Sequence, residues 1–144
     1  MLVHQIIKSK PEAGVVTVGP DTSIADVAKI LADKRIGTVV VSEDGKVALG
    51  ILSERDIVRE LAQSGSSCLS RLVSDYMTRD VVTCNSRSAV SEVLSKMTEG
   101  RFRHMPVVED DAMIGLISLG DVVKAQLQAL EMEKDALEGM IMGH

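Results

Sequence analysis

Gly50-Ile51-Leu52-Ser53-Glu54-Arg55-Asp56 returns later in the chain as Gly115-Leu116-Ile117-Ser118-Leu119-Gly120-Asp121. Both stretches read the same way: a glycine, two apolar residues, a serine suited to cap a helix, and an aspartate three positions on. Working outward, Val15-Val16-Thr17 recurs as Val81-Val82-Thr83, Val27 as Val93, Arg35 as Arg101, Val41 as Val107 and Glu43-Asp44 as Glu109-Asp110, all 66 positions on (81 − 15). The offset drops to 65 (115 − 50) at the second glycine, so one residue is missing from the turn after Asp110. An internal repeat redirects the whole fold reading. Two like units should pack about an approximate two-fold axis, and any groove between them should come as a pair.

Each copy reads as strand, helix, strand, strand, helix. In the first, 15–18 is a short β-rich run, and Ile24, Val27, Ala28 and Leu31 fall on one face of a helix that stops near Arg35. Residues 38–41 are a buried strand, Glu43-Asp44-Gly45-Lys46 a hairpin turn, 47–52 the returning strand, and Ser53 opens a helix carrying Ile57, Val58 and Leu61. In the second, 81–84 is the short strand, 88–97 the helix, 104–108 and 113–117 the hairpin, with Glu109-Asp110-Asp111 as its turn, and Ser118 opens the last helix. Leu2-Val3-His4-Gln5-Ile6-Ile7, broken by Pro11-Glu12-Ala13-Gly14, and the run 72–77 are matching apolar lead-ins. The predicted organisation is α+β: 1–62 as the first repeat with its lead-in, 63–71 as a polar linker around Gln63-Ser64-Gly65-Ser66-Ser67, 72–126 as the second repeat, and 127–144 as a helical tail. At 144 residues each half is too small to stand comfortably alone, so one shared core is expected.

Composition narrows the function. A net charge of −5, with no Trp, one Tyr (Tyr76) and one Phe (Phe102), argues against nucleic acid and against a base-stacking surface. Cys68 and Cys84 have no CxxC or metal spacing, so they are expected as reduced thiols. Residues 1–10 lack the apolar core of a signal peptide, and no apolar run approaches the roughly 18 residues that span a membrane. A cytoplasmic location is the expectation. His4, His104 and His144 are far apart and form no metal-ligand motif, and no nucleophile elbow, phosphate-binding glycine loop or dinucleotide fingerprint is present. No catalysis, metal or cofactor is expected.

Chemistry concentrates where the returning strand enters a helix. Ser-x-x-Asp is a capping box, in which the hydroxyl accepts from the third helical N–H and the acid reaches back. The same helix start also suits a phosphate, and an acid there suits ribose hydroxyls. Capping boxes usually end in Glu or Gln, so Asp in both copies leans toward a ligand. A second cluster, Arg101-Phe102-Arg103-His104-Met105-Pro106, suits phosphate recognition, or else is a solvated helix end. Copy one has Lys34-Arg35 and then Gly37-Thr38 where copy two has Arg103-His104, so paired pockets would not be chemically equivalent.

The duplicated Gly-h-h-Ser-x-x-Asp (h, apolar), with Arg-His-h-Pro-Val-Val in the second copy, resembles the tandem cystathionine β-synthase (CBS) domain pair over nearly all of residues 2–126. The small stand-alone bacterial members are the nearest in kind. The resemblance implies two repeats about a pseudo-two-fold axis, a regulatory role, pairing into disc-shaped homodimers, and an adenosyl ligand in clefts between the repeats: AMP, ADP or ATP first, then NAD or S-adenosylmethionine. It implies Asp56 and Asp121 as the ribose-binding acids, Ser53 and Ser118 beside phosphate or ribose, and adenine against Ile36, Gly37, Thr38 and Val39 in one copy and Arg103, His104, Met105 and Pro106 in the other. The strands around Thr17 and Thr83 would close the pockets, and Arg55, Arg101, Arg103 and His104 would meet phosphate. Copy one has Val39-Val40 where copy two has Met105-Pro106, so one cleft could stand empty or prefer another ligand.

The last helix overruns the repeat. Val123, Leu127, Leu130, Leu137 and Ile141 form a rough stripe, with Glu131, Glu133, Lys134, Asp135 and Glu138 opposite. This is either a tail packed on its own domain or a surface for a symmetry mate. The alternative function is an interaction scaffold with vestigial pockets that docks a protein partner through this helix.

Overall fold

The computed structural model describes residues 1–10 and 15–142. The break expected at Pro11-Glu12-Ala13-Gly14, and His144, lie outside the described residues. Element order is α1 (Val3–Ser9), β1 (Thr17–Val18), α2 (Ile24–Lys34), β2 (Thr38–Val41), β3 (Gly50–Ser53), α3 (Glu54–Ser64), a 3₁₀ turn (Gly65–Ser70), α4 (Val73–Tyr76), α5 (Val90–Gly100), β4 (His104–Glu109), β5 (Ala112–Ser118) and α6 (Leu119–Ile141). The fold is α+β, with a three-stranded sheet β1-β2-β3 and a two-stranded sheet β4-β5.

The repeat is visible atom by atom. Arg35 and Arg101 both end a helix in the left-handed region, at φ 54° and 56°. Glu54 N–H donates to the Gly37 carbonyl and Leu119 N–H to the Arg103 carbonyl, each at 2.8 Å. Thr38 and His104, which occupy the same place in the two copies, meet at 3.2 Å from Oγ1 to Nδ1. The approximate two-fold axis therefore passes between these two side chains.

Residues 81–84 do not form the strand expected of them. Only Cys84 pairs, as an isolated parallel bridge to Val107. In copy one Val40 N–H donates to the Val16 carbonyl and Ser42 N–H to the Val18 carbonyl. Val108 N–H makes the second of these bonds in copy two, to Cys84. The residue matching Val40 is Pro106, which has no N–H to offer Val82. The first hairpin also departs from expectation, since β3 starts at Gly50 rather than 47. Ser42 Oγ accepts from Gly45 N–H, and Asp44 Oδ1 accepts from the N–H groups of Lys46 and Val47. Those side chains take donors that a ladder would need. The shorter second turn instead places Asp110 and Asp111 at φ 50° and 63°, a tight reversal between β4 and β5.

The halves do not share one core. Ile24, Val27 and Leu31 of α2 pack with Val39, Val41, Leu52, Ile57 and Val73. Val90, Val93 and Met97 of α5 pack with Met105, Val107, Ile117, Val122 and Ala125, together with Val3 and Ile6. Each large buried side chain contributes about 1.5–3 kcal/mol. The lead-ins are exchanged: α1 completes the core of copy two and α4 that of copy one. A small half can hold its own core because the other half's lead-in covers it. A Cβ on Gly50 would lie 2.4 Å from Met77 Sδ, and one on Gly115 2.5 Å from Ile7 Cδ1, so both glycines are where the exchanged segments press on a sheet.

Residues 63–71 are ordered as the end of α3 and the 3₁₀ turn, which buries Cys68. The boundary placed at 126/127 falls inside the continuous α6. Val122 and Ala125 form the packed face of that helix. The stripe read from sequence points away from it: Leu127 is 58% exposed, Leu137 59% and Ile141 85%. No helix among the described residues is long and apolar enough to cross a membrane.

Candidate functional site

Both Ser-x-x-Asp motifs close capping boxes. Ser53 N–H donates to Asp56 Oδ2 at 2.8 Å and Asp56 N–H to Ser53 Oγ at 3.3 Å. Ser118 N–H donates to Asp121 Oδ2 at 2.9 Å and Asp121 N–H to Ser118 Oγ at 3.1 Å. Asp in place of Glu therefore needs no ligand to explain it. The box spends one carboxylate oxygen and leaves the other.

Two clefts flank the axis and are related by it. The first, about 620 Å³, sets Ile51, Ser53, Glu54, Arg55 and Asp56 of copy one against Val81, Val82 and Arg101 to His104 of copy two. The second, about 240 Å³, sets Leu116 and Ser118 of copy two against Val15, Val16, Ile36, Gly37 and Thr38 of copy one. Thr38 and His104 line both. Each helix start thus faces the strand entry of the other repeat.

Of the residues singled out from sequence, Gly37, Thr38, Ser53, Arg55, Asp56, Arg101, Arg103 and His104 gather around the first cleft, and Ile36 and Ser118 join the second. Val39, Met105 and Pro106 are instead buried in the sheets. Thr17 and Thr83 line neither cleft; the valine pairs just before them do. Asp121 adjoins the second cleft, where Lys10 holds it.

Several residues reach the clefts without a motif to announce them. Arg59 Nη1 donates to Asp56 Oδ1 at 3.2 Å, one helical turn on. Thr78 and Asp80 arrive after α4, where Thr78 N–H donates to the Ile51 carbonyl at 2.9 Å and the Thr78 carbonyl accepts from Ile51 N–H at 3.0 Å. Lys10 Nζ donates to the Leu116 carbonyl and to Asp121 Oδ2, both at 2.9 Å. The exchange of lead-ins delivers Lys10, Thr78 and Asp80, and no local sequence motif signals it.

The first cleft collects four arginines (55, 59, 101 and 103) against Glu54, Asp56 and Asp80. Burial holds the His104 ring below its ordinary value, and Lys10 and Arg103 add to this while Asp121 opposes. His104 is therefore neutral at pH 7. Burial by itself raises Asp121, but the Ser118 N–H and the Lys10 ammonium outweigh it and hold the carboxyl below its usual range. The arrangement can grip a sugar diol at Asp56 Oδ1 and an anion at the arginines. Among the described residues no group of His, Cys, Asp or Glu is placed to hold a metal.

A family model described as "CBS domain" matches residues 5–63 and again 73–128. "CBS domain-containing protein CBSX3, mitochondrial" of Arabidopsis thaliana is 34% identical over 127 residues, which is 85% of this chain and 62% of that protein. A second Arabidopsis protein, CBSCBSPB2, is 33% identical over 94% of this chain and 25% of its own length, so the chain spans less than two thirds of the first relative and a quarter of the second. Among solved structures, the CBS-domain protein ATU1752 of Agrobacterium tumefaciens superposes with a TM-score of 0.82 at 44% identity, covering 88% of this chain and 99% of that one. The CBS domain pair of protein MJ0100, solved with 5′-methylthioadenosine and S-adenosylmethionine, gives a TM-score of 0.75 at 28% identity over 90% and 98% of the two chains.

Proposed function

The chain belongs to the CBS-domain family as a tandem pair, and from that premise we propose that it is a regulatory module that binds an adenosyl ligand between its repeats. The observation that carries the proposal is the larger cleft, where the α3 start with Ser53 and Asp56 faces Arg101, Arg103 and His104 from the other copy. Its 620 Å³ lies within the roughly 300–1,000 Å³ of small-molecule pockets. Asp56 Oδ2 stays in its capping box while Oδ1 takes a ribose hydroxyl, with Arg59 swinging out. The base lies along Val81, Val82 and Phe102. Arg55, Arg101 and Arg103 take phosphate, which makes AMP, ADP or ATP the favoured ligand over NAD. S-adenosylmethionine keeps a place because of the ligands held by the MJ0100 pair.

Ligand occupancy is read out by a partner rather than by chemistry at the cleft, and we place this regulation in the cytoplasm. Two buried, unpaired cysteines support that location. Calorimetric titration with AMP, ATP, NAD and S-adenosylmethionine tests the reading. One of them should bind and Asp56→Ala should abolish that binding; silence from all four removes the proposal. A ligand present at 100 times its Kd should stabilise the fold by about 2.7 kcal/mol.

The second reading, a scaffold acting through α6, is favoured by the outward stripe of Leu127, Leu130, Leu137 and Ile141. Its occupant is a second copy of the chain, which would form the expected homodimer. Deleting residues 127–144 should convert a dimer to a monomer in sedimentation while leaving nucleotide titration unchanged. A full-length chain that sediments as a monomer overturns it.

A further inference from the structure

The two clefts are related by the approximate two-fold axis, yet they are closed differently at corresponding residues. In the larger cleft the Ile51 carbonyl is satisfied by the backbone N–H of Thr78, and among the described residues no lysine lines the cleft. Among the described residues the only side chain on Asp56 Oδ1 is Arg59, which is 63% exposed and free to turn into solvent. In the smaller cleft the matching carbonyl, Leu116, accepts from Lys10 Nζ, and the same ammonium holds Asp121 Oδ2. Lys10 comes from the exchanged N-terminal lead-in, 111 residues away from Asp121 in sequence, and its side chain is 35% exposed. It lines this cleft together with Val15, Val16 and Ile36, and the volume that remains is about 240 Å³. That is below the roughly 300 Å³ at which small-molecule pockets begin.

We infer that Lys10 is a built-in occupant of the smaller cleft, a tethered cation that neutralises its acid and takes up its space, so that the chain binds one adenosyl ligand rather than two. A free ligand competes there with a group held at high effective concentration by its own chain. It must also break two hydrogen bonds of an ammonium, which are stronger than neutral ones. Gly37 sits where the larger cleft has Arg103, so the smaller cleft lacks that guanidinium for a phosphate. Lys10 thereby determines which cleft senses the ligand.

The inference rests on the adenosyl reading of the larger cleft, and the experiment separates the two. Equilibrium dialysis with AMP, ATP and S-adenosylmethionine is run on the wild-type chain, Lys10→Met, Asp56→Ala and the double variant. Lys10 is partly exposed and Met preserves its stem, so the fold is retained. The wild type should bind one equivalent, lost in Asp56→Ala. Lys10→Met should bind two, with affinity at the second site raised at least about tenfold (about 1.4 kcal/mol), and the double variant should keep one. Two equivalents in the wild type, or one in Lys10→Met, overturn the role of Lys10 and leave the adenosyl reading standing. No binding to any of the four proteins overturns both.

Discussion

Burial pushes the His104 imidazole below its ordinary 6.5, and Lys10 and Arg103 push the same way while Asp121 opposes them. The folded protein therefore refuses a proton that the unfolded chain accepts. The stability tied to His104 is complete above the unfolded value of 6.5 and is lost as pH falls through the window beneath it. Asp121 is held below its usual range and does not titrate there, since its contribution is lost only in stronger acid. Lowering the pH from about 7.5 to about 5.5 should shift the urea midpoint of the wild type downward, and His104→Gln should shift less. Equal shifts would show that the ring titrates freely. Of the candidate residues, Ser53 and Asp56 were legible because a capping motif is local. Lys10, Thr78 and Asp80 were not, because the path that brings them to a cleft runs through the exchanged lead-ins.

At the scale of the element, the repeat predicts structure well where the backbone bonds are local and poorly where they are not. The helices α2 and α5 and the strands β2 and β4 lie within a few residues of expectation, because their apolar spacing alone defines them. The missing strand at 81–84 depends on Pro106, more than twenty residues away, and no window around 81 contains that fact. The paired helices also differ at their starts. Ser23 Oγ accepts from Asp26 N–H at 3.1 Å to cap α2. The matching residue before α5 is Ala89, whose φ of −72° and ψ of 136° resemble the −71° and 152° of Ser23 but which offers no cap. Ala89→Ser should stabilise the protein by about 1 kcal/mol and Ser23→Ala should cost a similar amount. Chemical denaturation checks both, and an Ala89→Ser protein no more stable than wild type would mean that the α5 start cannot seat the hydroxyl.

Across the whole molecule, the two cores stand apart yet depend on each other's sequence. The expectation of a single shared core came from size alone, because a half-chain buries little. Periodicity could not reveal that each half borrows a helix from the other, since both lead-ins are apolar and either could pack on either sheet. The borrowing sets a distinctive rule for where damage appears. Ile6 lies in the first few residues of the chain, yet it is buried with Val93, Met105 and Ile117 of copy two. Ile6→Ala should cost about 2–5 kcal/mol, as cavity-forming changes in packed cores do. Hydrogen exchange should then show the amides of β4 and β5 losing protection before those of β2 and β3. Met77→Ala should do the reverse, because Met77 packs against the core of copy one. If Ile6→Ala instead loosens β2 and β3 first, α1 belongs to the repeat that follows it. Lys10 would then have no route to Asp121, because the exchange of α1 is what carries the one to the other.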